Sequence, residues 1–245
     1  MHKRIMTLFS AFLVLLMTAG CASTPKITYH SSSKVLKEVT SSVVKITVDY
    51  QVQDKVTLAT VQKVYFATGF SFKTTDVVSF VLTNKHVCNM GPNANYTLTL
   101  QSGGKVQAVF VRSDPFADVC LLKANAIIPP LSLAKRNATQ GDRVLSIGGP
   151  DGAYPLIVEG FISGYYNMHM RNDDDDDSDF EVHFRAQVMS APVYHGSSGS
   201  PVFDVNGEVI GIVFAVRGEK EHIAFIVPIS EVRRFLDNSE YVYMN

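Results

Sequence analysis

Twelve short runs rich in β-branched and aromatic residues, many of them separated by polar or glycine-containing breaks, constrain the fold of this chain more than any other feature. The first six are SVVKITVDY, KVTLATVQKVYFATGF, VVSFVLTN, YTLTLQ, KVQAVFVR and VCLLKA. RVLSIGG, LIVEGFISGYY, DFEVHFRAQVM, SPVFDV, EVIGIVFAV and HIAFIVP follow. Such residues favour pleated, half-buried surfaces, and several runs alternate in polarity as strands with one covered face do. Many strands with few helical stretches require an all-β barrel or sandwich. Only ISEVRRFLD, near the end, has apolar residues at helical spacing. It predicts one closing helix with Ser230 as its N-cap.

The N-terminus follows a different logic. Lys3 and Arg4 precede an apolar run from Ile5 to Met17, then Thr18, Ala19, Gly20 and Cys21. The run is too short to span a bilayer and fits a signal peptide over residues 1–20. Small residues directly before Cys21 resemble the bacterial lipobox, which implies acylation of that cysteine and a membrane partner through a lipid anchor. Ala22 and Ser23 resemble outer-membrane sorting. The polar, Ser-rich stretch 21–34 suits a tether. The expected domains are residues 35–137 and 138–245. Lys plus Arg number 22 and Asp plus Glu 23, so a net charge of −1 gives no electrostatic basis for binding nucleic acid.

Two cysteines remain, Cys88 and Cys120, both in apolar strings. In an oxidising compartment they pair, and otherwise they sit as buried thiols. The run Asp173 to Asp177 cannot be buried and reads as a solvated loop. It lacks the ligand spacing and turn glycine of a calcium loop.

The chemistry concentrates in GSSGSP, Gly196 to Pro201. A serine hydroxyl needs a base to take its proton, and the oxyanion it generates needs donors fixed in advance. Gly196 and Gly199 allow a tight turn that aims the amides of Gly196 and Ser198 at one point, making Ser198 the candidate nucleophile and the two amides the candidate oxyanion hole. His86, where the apolar run of VLTNKHVCN turns polar, is the candidate base. Asp118, leading a strand in SDPFADVCLLKA and expected to be partly buried, is its candidate partner. The order His, Asp, Ser differs from that of subtilisins and α/β-hydrolases.

With these motifs together, the sequence resembles the trypsin-like serine proteases, and most closely the protease domain of the bacterial high-temperature-requirement family. ATGFSF, VLTNKHV, SDPFADVCLLK, GDRVLSIGGPDG, VEGFISG and IAFIVPISEVRRFL are similar to successive family segments. The resemblance implies a chymotrypsin-like fold of two antiparallel six-stranded β-barrels. It further implies a catalytic triad of His86, Asp118 and Ser198 in the cleft between them, with protein or peptide substrates. The PDZ domain common in that family has no room after the closing helix, so peptide sensing and the family's oligomeric state do not carry over. Ser197 stands where pancreatic relatives have an Asp, and Val213 where glutamyl endopeptidases have a His.

By the same resemblance the pocket before the scissile bond is lined by Met189 to His195, Val213 to Val216, including Phe214 and Ala215, and Ile223 to Val227. Its apolar character predicts cleavage after small or medium aliphatic residues. His195 is either a pocket-wall donor or a solvent-facing loop residue. His30 lies in the tether. His169 has no second ligand at a recognised spacing, and the chemistry calls for no metal or cofactor. The rival readings are an envelope binding or chaperone protein on the same fold, and an esterase.

Overall fold

The computed structural model describes residues 32–54, 56–91, 93–171, 181–216 and 223–238. The expected signal peptide, Cys21 with most of its tether, and the Asp173–Asp177 run lie outside the described residues.

All twelve expected runs form strands. β1 (Val43–Gln53), β2 (Thr60–Thr74), β3 (Ser79–Thr83), β4 (Asn95–Thr99), β5 (Lys105–Ser113) and β6 (Cys120–Ala124) close one barrel in the order β1-β2-β3-β6-β5-β4. β7 (Arg143–Gly148), β8 (Leu156–Arg171), β9 (Glu181–Met189), β10 (Pro201–Phe203), β11 (Val209–Val216) and β12 (Ala224–Pro228) close the second, in the order β10-β11-β12-β9-β8-β7. Every pairing is antiparallel. Closure leaves neither sheet an unpaired edge.

The two-residue strand period sorts the apolar side chains. Val44, Ile46 and Val48 of β1 fill the first barrel with Ala67, Val81, Leu98 and Leu122. Val144, Ile162, Met189, Val202, Ile210 and Ile226 fill the second. A third cluster draws Phe70, Leu82 and Leu121 from the first barrel and Ile147, Phe203, Ile212 and Val227 from the second, cementing the two along the seam.

Among the described residues three α-helices complete the fold: α1 (Ser32–Val39), α2 (Lys85–Cys88) and α3 (Ile229–Asp237). α1 departs from expectation, since the tether was taken to run to residue 34 with strand following. Val35 and Val39, one helical turn apart, are both buried and pack over the turn at Gly207, where an added Cβ would lie 3.3 and 3.5 Å from their methyls. The cap of α3 also departs. Pro228 occupies the N-cap and Ser230 lies inside the first turn, where its N–H donates to Asn137 Oδ1 at 2.9 Å. An acceptor from a distant loop thus satisfies a first-turn amide and removes the need for a side-chain cap. Of the two cysteine alternatives the disulfide is the one formed, Cys88 to Cys120.

Candidate active site

The base position is built at the end of β3. Asn84 precedes α2 and is fully buried, and its amide nitrogen donates to the Asp118 carbonyl at 2.8 Å. This contact fastens the start of α2 to the turn before β6. His86 follows, and Asp118 grips it twice: Oδ1 accepts the His86 backbone N–H at 2.9 Å, and Oδ2 pairs with ring Nδ1 at 2.7 Å. A carboxylate only accepts, so Nδ1 carries the proton in this pair. Asp118 is fully buried, deeper than the partial burial expected. The disulfide leaves α2 two residues after His86 and enters β6 two residues after Asp118, so it spans the same two segments.

The turn that delivers Asp118 is shaped by Asp114. Its Oδ1 accepts the Phe116 and Ala117 amides at 2.7 Å each and receives Arg234 Nη2 of α3 at 3.0 Å. An aspartate bonding the backbone two and three residues ahead fixes a tight turn, and the guanidinium compensates its buried charge.

Ser198 lies between two left-handed glycines. Gly196 has φ +92° and Gly199 φ +85°. A Cβ at Gly199 would fall 1.9 Å from the Thr68 carbonyl, and one at Gly196 would fall 2.4 Å from the Gly149 carbonyl. Thr68 stitches this loop to the first barrel. Its N–H donates to the Ser198 carbonyl at 2.8 Å, its hydroxyl donates to the Gly196 carbonyl at 3.0 Å, and that hydroxyl accepts the Gly149 N–H at 3.0 Å.

Two further bonds orient the loop's peptide groups. The His195 carbonyl accepts the Asp151 N–H at 2.7 Å, and the Ser197 carbonyl accepts the Ser200 N–H at 3.0 Å. In a trans peptide the N–H points opposite the carbonyl, so each bond turns the following amide, Gly196 or Ser198, to the other side of the loop. Neither amide finds an acceptor among the described residues.

Tyr65 of β2 lies next to His86. Its ring meets the His86 imidazole edge-on, centroids 6.5 Å apart. Burial raises the Tyr65 phenol above its ordinary pKa, the nearby Ser198 side chain lowers it, and the Asp118 charge adds to the rise. An imidazole held by a carboxylate, beside an alcohol and two unpaired amides, has the parts for proton abstraction and oxyanion stabilisation.

Other expected residues are dispersed. His195 is exposed and faces solvent. Val213 is buried and bonds the nucleophile loop through its main chain, its carbonyl accepting Gly199 N–H at 2.9 Å. Phe214 is buried, its ring 5.3 Å from Phe184 and 6.3 Å from Phe225, so its side chain belongs to the core. Ala215 continues β11, and residues 217–222 beyond it lie outside the described residues. A cavity of about 440 Å³ lies behind the nucleophile loop, lined by Val193, Tyr194, Ser197 and residues of β8. Tyr65, Thr68, Asn84 and Asp151 were not singled out from sequence. Thr68, Asn84 and Asp151 sit inside motifs already noted, whereas Tyr65 is brought in by tertiary folding.

Comparison with known proteins agrees with this architecture. The Rv3671c protease of M. tuberculosis in its active form superposes with a TM-score of 0.68 at 27% identity, covering 82% of each chain. A probable periplasmic serine endoprotease, DegP-like, of Brucella suis is 31% identical over 165 residues, 64% of this chain and 30% of that protein. A serine protease HtrA-like of Staphylococcus aureus is 26% identical over 180 residues, 70% of this chain and 23% of that one. The chain thus spans less than a third of the length of these two relatives. The profile of the trypsin-like peptidase domain matches residues 67–212, from β2, which carries Thr68, into β11, two strands beyond Ser198, and the chain belongs to that family.

Proposed function

We propose that the protein is a serine endopeptidase of HtrA/DegP type working through His86, Asp118 and Ser198. The observation that carries this reading is the double grip of Asp118 on the backbone and ring of His86, which commits one imidazole nitrogen to the carboxylate and leaves the other as a base. Ser198 loses its proton to His86 Nε2 and attacks the substrate carbonyl. The oxyanion is received by the Gly196 and Ser198 amides, with each donor worth about 2.7 to 4 kcal/mol in the transition state. His86 then protonates the leaving amine, and water hydrolyses the acyl-enzyme by the reverse sequence.

The segments flanking the specificity pocket are mostly apolar where described, with Val193, Val213, Ala224 and Ile226 buried, which supports cleavage after small or medium aliphatic residues. The leader and Cys21 support a lipid-anchored enzyme of the cell envelope.

The test is reaction with a fluorophosphonate probe followed by a peptide-library profile. Labelling that disappears in Ser198→Ala and a profile dominated by Val, Ala, Ile or Leu are the expected results. A folded protein that fails to label is a binding protein, and a profile led by Lys, Arg or Glu refutes the specificity. Incorporation of a palmitate analogue, lost in Cys21→Ala, tests the anchor.

A further inference from the structure

His169 of β8 and His183 of β9 are direct partners in the strand register. The His183 N–H donates to the Phe116 carbonyl at 2.9 Å, away from β8, so the two histidines occupy a non-hydrogen-bonded pair, where facing side chains approach most closely. Their neighbours Met168 and Phe184 are buried, and strand alternation puts both imidazoles on the outer face. The two Nδ1 atoms share a hydrogen bond at 2.9 Å, with ring centroids at 5.1 Å.

That spacing has a chemical reading. Two nitrogens each about 2.05 Å from one ion, at a right angle, are roughly 2.9 Å apart, and a tetrahedral angle opens them by only about 0.4 Å. We propose that His169 and His183 form a two-imidazole site for a divalent transition-metal ion, Zn²⁺ or Cu²⁺, bound through both Nδ1 atoms with water completing the shell. Neutral imidazole favours these ions over Mg²⁺ or Ca²⁺. Among the described residues no group of three or more His, Cys, Asp or Glu side chains is gathered for a metal.

The surrounding charge is favourable. Arg185, two residues from His183, lays its guanidinium over the Tyr165 ring, 4.5 Å from the centroid. The nine residues joining β8 to β9 include six aspartates. The site also sits on the strand that buttresses the turn bearing Asp118, through the bond to Phe116.

The test uses the full chain with Ser198→Ala, which prevents self-digestion, titrated with Cu²⁺ and followed by calorimetry and electron paramagnetic resonance. One equivalent binding with a two-nitrogen hyperfine pattern is expected. His169→Gln and His183→Gln, at exposed positions that leave copper-free melting unchanged, should each weaken binding at least about tenfold and abolish the pattern. His86→Gln should leave both intact. Changing Asp173 to Asp177 into Asn should weaken binding while keeping the two-nitrogen pattern. Unchanged affinity in both histidine variants, or loss of the pattern in the His86 or aspartate variant, overturns the proposal.

Discussion

Removing the Cys88–Cys120 bridge should cost stability without disturbing the site it spans. The bridge closes a segment of 32 residues, the same separation that divides His86 from Asp118. On the chain-entropy account, a loop of that length restricts the unfolded chain by about 3.7 kcal/mol at 25 °C. With a urea slope of about 2 kcal/mol per molar, the unfolding midpoint should fall by roughly 1.8 M. The folded contacts are a separate matter. Asn84 to the Asp118 carbonyl and both carboxylate bonds to His86 persist without the bridge, so the rate of fluorophosphonate labelling in the absence of urea should stay within about twofold. Reduced wild type keeps both sulfur atoms and isolates the loop effect, whereas the double variant Cys88→Ala, Cys120→Ala adds a packing loss at two buried positions. A midpoint shift below about 0.5 M on reduction would refute the entropic reasoning. A labelling rate that collapses in folded, reduced protein would show that the bridge positions the imidazole.

Four further outcomes follow from named contacts. Asp118→Asn should lower labelling by about ten-thousand-fold while the fold persists, because the amide cannot hold the productive tautomer; kinetics and circular dichroism together check this. Thr68→Val strands the buried Gly149 N–H and frees the Gly196 carbonyl, costing about 1–3 kcal/mol in urea unfolding and slowing labelling as well. Gly199→Ala, with its Cβ placed 1.9 Å from a carbonyl oxygen, should lose at least about 3 kcal/mol in the same assay, and a variant as stable as wild type would contradict the loop geometry. Burial raises the pKa of Tyr96 and Tyr154, so the unfolded chain ionises first. Stability is therefore intact below about pH 10 and falls as pH climbs through the folded-state values, and Tyr154→Phe should flatten the alkaline slope of the melting temperature.

The strands were legible because their period is two and their breaks are polar. Val44, Ile46 and Val48 announce an inward face before any partner is known. α1 was obscured because eight residues give barely two turns, and its Val35 and Val39 follow directly on Ser-rich sequence. Ser230 misled because a favourable capping residue says nothing of Asn137, which approaches from 93 residues away. At the site, the residue types of His86, Asp118 and Ser198 stand out by their motifs. Tyr65 acts only through a position that folding creates, and Asp151, though it lies within GDRVLSIGGPDG, has nothing there to mark its amide as the partner of the His195 carbonyl. His169 and His183 flank an acidic run almost symmetrically, a hairpin signal that gains meaning only once the register is known.

Thr68 belongs to the first barrel, yet its hydroxyl and amide hold the loop that presents the alcohol from the second. Neither half of the polypeptide therefore carries a dormant copy of the reactive centre, which exists only while the halves stay docked. A ligand, a crosslink or a pulling force that shifted one half against the other by about an ångström would silence the centre with both halves still folded.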